Sequence, residues 1–179
     1  MDLARALGHP DSGCYSLLQR SLALAALGRG QEALANATEA LAIAERLGHR
    51  EWTIMGHHRL GVAWEAADDP DRAEAAYRRG LELADRIPYH WSHCANGLAR
   101  LLITRGELDA AEPLIERSLA EGLPLTAYEA RAAKVELLVA RGDEAVRPLA
   151  REAMALAEQG GSLAVVPRLR AFTTVPRAP

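Results

Sequence analysis

The densest group of chemically capable side chains is HWSHC at residues 90–94, where His90, His93 and Cys94 stand at i, i+3 and i+4. On a helix that spacing puts all three on one face. His57 and His58 fall on the equivalent helix of the preceding unit, its expected neighbour. Imidazole nitrogen and thiolate sulfur are donors that zinc accepts, so a soft-metal site is the chemistry such a group would support. No carboxylate is placed to orient the histidines, and the spacing matches no zinc finger. No metal and no cofactor are therefore expected: Cys94 packs inward and the histidines line a surface or groove.

Other chemistry is absent from the chain. The phosphate loop GxxxxGK[ST] does not occur, and Lys134, the single lysine, lies in AAKVE rather than after glycines. No GxSxG, HExxH or EF-hand pattern is present. No catalytic residue is assigned, and an enzyme is not expected. The net charge of -3 and pI near 6.1 provide no general field for nucleic acid or an anionic membrane surface. Cys14 and Cys94 are isolated thiols without a CxxC partner, which suits a reducing compartment. No charge-free apolar stretch reaches 18 residues, and the first ten residues include Asp2 and Arg5 rather than a leader's apolar run. A cytoplasmic location is expected.

What could position these side chains is legible in the composition and the spacing. About one residue in five is alanine and only 4% are aromatic, a mixture that favours closely approaching helices over pleated sheets. The chain also repeats itself. Ala33, Ala73, Ala111 and Val146 anchor successive units at spacings of 40, 38 and 35 residues. Seven residues after each anchor comes a small side chain, Ala40, Gly80, Ser118 or Ala153. A large one follows each of these: Leu41, Leu81, Leu119 or Met154. Small residues at such positions let two helices cross at about 8 Å. Pro113 and Pro148 each lie two residues after an anchor, where an early-turn proline costs few hydrogen bonds.

Breakers and caps predict helices at 13–28 and 30–48, 51–67 and 70–87, 90–105 and 107–122, and 125–141 and 143–159. Asp69 is the expected N-cap of the fourth, with Pro70 in its first turn. LARALGHP at 3–10 matches IAERLGHR at 43–50. The chain is thus expected to begin inside the second helix of an earlier unit, with Gly8-His9-Pro10 ending that remnant. A short helix is predicted within 162–171, followed by a frayed tail from Thr173 to Pro179.

The pattern resembles the tetratricopeptide repeat. Leu60, Gly61, Trp64, Ala73, Tyr77 and Gly80 carry the resemblance in the second full unit. Ser21, Leu24, Gly28, Ala33, Ala37 and Ala40 carry it in the first, and Ala99, Leu102, Gly106, Ala111, Ile115 and Ser118 in the third. The fourth departs most, with Val135 and Val146 where small residues are expected. The resemblance implies an all-α fold, a right-handed superhelical solenoid of about four helix-turn-helix repeats plus a partial N-terminal helix. Its boundaries are 1–10 for the partial helix, 11–160 for the repeats (11–49, 50–88, 89–123, 124–160) and 161–179 for the C-terminal segment. The long, Ala-, Leu- and Arg-rich repeats are also similar to the arrays of large bacterial transcription regulators of the LuxR and antibiotic-regulator types.

The family implies binding of a protein or peptide through a concave groove lined by the first helix of each pair. The corresponding positions are Tyr15 and Gln19; Met55, His58 and Glu65; His93, Asn96 and Arg100; and Glu129 and Glu136. Asn96 and Arg100 suit a peptide backbone or carboxylate, whereas a clamp built of several basic residues is not expected. No direct contact with nucleic acid or membrane is implied. Two alternatives are an effector-sensing domain for a small molecule and a self-assembly module acting through the terminal repeats. Trp52, Trp64 and Trp91 are expected in packing between repeats, and Arg78-Arg79 on a solvated face.

Overall fold

The computed structural model describes residues 10–121, 124–143, 146–160 and 165–173. The remnant expected before Pro10 and residues 174–179 of the expected tail lie outside them, while Thr173, expected to begin that tail, ends a helix instead. The described residues form nine helices and no strand: α1 (Pro10–Ala26), α2 (Gly30–Arg46), α3 (Arg50–Ala66), α4 (Pro70–Leu83), α5 (Pro88–Thr104), α6 (Leu108–Ala120), α7 (Pro124–Arg141), α8 (Val146–Gln159) and α9 (Val166–Thr173). Among these residues no helix is long and apolar enough to cross a membrane. The expected all-α class, built as a succession of helical hairpins, is the fold.

The helices opened by Pro10, Pro88 and Pro124 start earlier than expected, while α4 opens at Pro70 as expected. Pro10, read from sequence as the end of a preceding helix, instead opens α1, and α5 opens at Pro88 rather than residue 90. A proline at the first helical position has no N–H to lose and a backbone angle already suited to the helix. Asp69 caps α4 as expected, accepting the Arg72 N–H at 3.1 Å. His49 does the same for α3 through Nδ1, accepting the Trp52 N–H at 3.3 Å while its ring stacks on the Trp52 indole at 4.1 Å.

One turn recurs along the chain. After α1, α2, α3, α5 and α7 a residue with positive φ is followed by an N–H that reaches back five residues. Arg29 donates to the Leu24 carbonyl, His49 to Ala44, Asp69 to Trp64, Glu107 to Leu102 and Asp143 to Leu138, all at 2.9–3.0 Å. This is the Schellman closure, which satisfies orphan carbonyls at a helix end. Glycine takes the left-handed position four times; at the fifth Asp68 adopts φ 61°, a conformation aspartate tolerates better than most residues.

The chain divides into two compact units, Met1–Gly97 and Leu98–Pro179, with the boundary inside α5. In the first unit α1 packs on α2, α2 on α3 and α3 on α4, and α1 also touches α3. Ala33, Ala40 and Ala73 are fully buried, as close helix crossings require. One cluster joins Cys14, Leu17, Leu18, Ala40, Ala44 and Met55. A second joins Leu24, Ala33, Leu34 and Ala63, with Trp64 against it. The Trp64 ring also carries the Arg72 guanidinium at 4.7 Å. Trp64 therefore serves the contact with the first hairpin, and Tyr77 alone fills the space between small residues.

That space is defined by two glycines. A Cβ added to Gly61 of α3, or to Gly97 of α5, would collide with the Tyr77 ring, in the second case at 2.5 Å. Tyr77 is fully buried and donates its hydroxyl to the Glu65 carboxylate. A Cβ on Gly80 would meet Cys94 Sγ at 2.5 Å. Gly80→Leu is accordingly expected to cost about 1–3 kcal/mol through overpacking. A melting temperature equal to the parent's would mean that α4 and α5 do not cross there.

In the second unit α7 packs on α6 and α8, and α9 packs on α8. Val135, Ala150, Ala153, Ala157 and Leu169 form its main cluster. Outside the core, Lys134 pairs with Glu112 and Glu116, and Arg141 with Asp109 and Glu112. These charges tie α7 to α6.

Candidate functional site

Lined up by their helices, α1, α3 and the first turns of α5 carry most of the expected groove positions within the first unit. On α1, Tyr15 is 56% exposed, Gln19 is exposed and Leu22 is exposed as well. Their i, i+4, i+7 spacing sets them in one row. Leu22 was not among the positions expected from sequence, although its distance of seven from Tyr15 is the signal that finds it. The α1 row is the open part of the face.

On α3 and α5 the face is closed in. His58 and His93 are buried, with ring centroids 5.5 Å apart, and Tyr89 meets His93 edge-on at 4.7 Å. The Tyr77 ring lies 5.8 Å from His58. Arg59, only 6% exposed, places Nη1 2.7 Å from His58 Nδ1. A guanidinium can only donate, so Nδ1 is the acceptor and the neutral ring carries its proton on Nε2. Asn96, 3% exposed, has neither side-chain amide atom hydrogen-bonded among the described residues, and the Ser92 hydroxyl one turn before it is in the same condition. Buried polar atoms are seldom left so, because each costs about 1–3 kcal/mol.

Not every expected position belongs to this face. Met55 is 9% exposed and packs into the Cys14–Leu17–Ala44 cluster, so its role is core packing rather than the groove contact expected of it. Glu65 holds the Tyr77 hydroxyl. Arg100, Glu129 and Glu136 belong to the second unit, where Glu136 accepts from Arg168 of α9. Arg59 was missed because nothing local marks one arginine among many as buried.

The HWSHC residues point in different directions. Cys94 is fully buried against Gly80, while His93 turns to His58 and Tyr89, and His90 Nε2 lies 3.8 Å from Glu51. Among the described residues no three His, Cys, Asp or Glu side chains are grouped to hold a metal ion. Burial pushes the Cys94 thiol up to about 12, with Arg59 acting weakly against it, so the sulfur is protonated and inert at neutral pH. Burial also lowers the pKa of His57, helped by Arg79 and opposed by Glu45 and Glu82. For His90 burial again lowers it, with Glu51 opposing.

Stacked helical hairpins with small residues at their crossings define a class of repeat scaffold that offers a preformed surface. Comparison with known families identifies which one. The tetratricopeptide repeat family matches residues 14–86 and again residues 91–121, together more than half of the chain. The chain carries tetratricopeptide repeats in both stretches; α7 and α8 lie beyond them. Repeats of this family generally mediate protein–protein interaction and are typically non-catalytic scaffolds. No curated protein matches the chain.

Proposed function

We propose that the first unit is a non-catalytic binding module that takes an extended protein or peptide segment along the face of α1, α3 and α5. The observation that carries this reading is the open row Tyr15, Gln19 and Leu22, apolar rings and methyls flanking one amide. Exposed apolar side chains in a row mark an interaction surface more often than scattered ones do. Asn96 sits too deep to join that row as it stands: it is 3% exposed, with both amide atoms out of reach of solvent. Arg100 and Glu129 extend the reading separately to the second unit. Attachment to a bacterial transcription regulator, and a cytoplasmic setting, are the finer part of the proposal. They rest on composition and repeat length, and an adjoining ATPase or DNA-binding segment in the gene would test them.

Selection from a displayed library of random peptides tests the module itself. The parent protein is expected to enrich a shared motif. Tyr15→Ala and Leu22→Ala are each expected to weaken the selected peptide about tenfold, roughly 1.4 kcal/mol, with unchanged helicity. Arg100→Glu reads the second unit in the same assay. No enrichment, or equal binding by Tyr15→Ala, would remove this face from consideration.

A further inference from the structure

From His90 to Gly97 every residue of α5 is buried. A helix closed in on all sides is ordinarily apolar throughout, yet this stretch carries a serine and an asparagine one turn apart, both residues of the first unit. We propose that Ser92 and Asn96 form an internal hydration site, in which a water molecule bridges the Ser92 hydroxyl and the Asn96 side-chain amide. The ligand is water itself. Neither the binding face proposed above nor the crossings at Gly61, Gly80 and Gly97 depend on it.

Comparable side chains on other helices find a backbone partner. Ser16 donates to the Ser12 carbonyl at 2.7 Å, Thr53 to His49 at 3.1 Å and Thr104 to Arg100 at 3.0 Å, each one turn back. Asn36 donates to the Glu32 carbonyl at 2.7 Å in the same way. Buried Ser21 instead reaches across to the Ala33 carbonyl at 2.9 Å. These are the usual local solutions for a hydroxyl or amide within a helix. Ser92 and Asn96 use neither of them. Among the described residues Ser92 Oγ has no hydrogen-bond partner, and neither has the oxygen or the nitrogen of the Asn96 amide. Ser92 is 0% exposed and Asn96 3%, so bulk solvent does not serve them either.

Water fits both the spacing and the chemistry. Residues four apart on a helix place their Cβ atoms about 5–6 Å from one another. Two hydrogen bonds through a single water span a similar length, about 5.5–6 Å. The hydroxyl both donates and accepts, and the amide offers one group of each kind, so a water matches either in the right sense. Both partners are neutral, which suits water rather than an ion. Internal waters in proteins occupy such places, making about three hydrogen bonds to polar groups that are otherwise unsatisfied. The amide oxygen and nitrogen point apart, so the atom off the bridge is served by a second water.

A high-resolution crystal structure of the full chain, joined to a double-mutant cycle in urea, tests the site. The crystal structure is expected to show an ordered water within about 2.5–3.2 Å of both Ser92 Oγ and one amide atom of Asn96. Ser92→Ala is expected to lower the urea midpoint of the parent by about 0.3 M, because the bridging water loses a partner. In the Asn96→Ala background the bridge is already broken, and Ser92→Ala then removes an unpaired hydroxyl. There the midpoint is expected to hold or to rise. The crystal structure needs no variant, so the site stays testable if Asn96→Ala does not fold. A structure with no water between the two side chains would overturn the proposal, as would equal shifts for Ser92→Ala in both backgrounds.

Discussion

Replacing Tyr77 by alanine is expected to destabilise the chain by about 3–5 kcal/mol, the range for emptying a fully buried aromatic site. The ring is 0% exposed and touches the positions of two missing side chains, one on α3 and one on α5. Helices held apart by a ring cannot close the void without moving two crossings at once, which puts the loss toward the upper end. The hydroxyl is a smaller part: Tyr77→Phe gives up one bond to Glu65, about 1 kcal/mol.

A reversal of sign makes the test specific. Gly97→Ala should be harmful beside tyrosine, because its Cβ would sit 2.5 Å from the ring. Beside alanine at 77 the clash is gone, and the better helix propensity of alanine, about 1 kcal/mol, should make the same change neutral or stabilising. Urea titration of the four proteins in the cycle measures both terms. If Gly97→Ala costs the same in either background, Tyr77 does not fill that space.

Gly30→Ala is expected to rank next, at about 1–3 kcal/mol or above. Its Cβ would stand 2.5 Å from the Ala66 carbonyl oxygen and 2.6 Å from the Ala67 nitrogen. These are backbone atoms, and they cannot swing aside as a side chain can. The end of α3 is also tied down, by the Ala67 N–H to Ala63 at 3.0 Å and the Asp69 N–H to Trp64 at 2.9 Å. The start of α2 must therefore retreat, loosening the contact between hairpins. Gly13 is the control: it lies inside α1 with nothing within 4 Å of an added Cβ. Gly13→Ala should be stabilising by up to about 1 kcal/mol. Melting both variants against the parent decides the matter, since opposite signs are expected from the same chemical change.

Much of the fold could be read along the chain because its determinants are local. Ala33, Ala73 and Ala111, with Ala40, Gly80 and Ser118 seven residues on, are buried where the repeat spacing put them. Gly28, Gly106 and Gly142 mark helix ends because a left-handed residue is a local demand. The site was less legible. Tyr15 and Gln19 are exposed as groove positions should be, whereas Met55 at a corresponding position packs inward. Gly97 carries no local signal, being a lone glycine within a helix whose reason is a ring from the preceding hairpin.

The sequence by itself determined that this protein is a series of helical hairpins and where each turns, since helix period, caps and left-handed turn residues act within a few positions. It also specified where helices can approach closely, since a small side chain permits contact whatever stands opposite. Only the tertiary structure decided what enters each gap: Tyr77 between Gly61 and Gly97, Cys94 against Gly80, and Arg59 donating to His58 beside His93. Those pairings join residues from different helices. Their energies depend on burial and on the chemistry of the facing side chain, and neither quantity exists until the hairpins have packed.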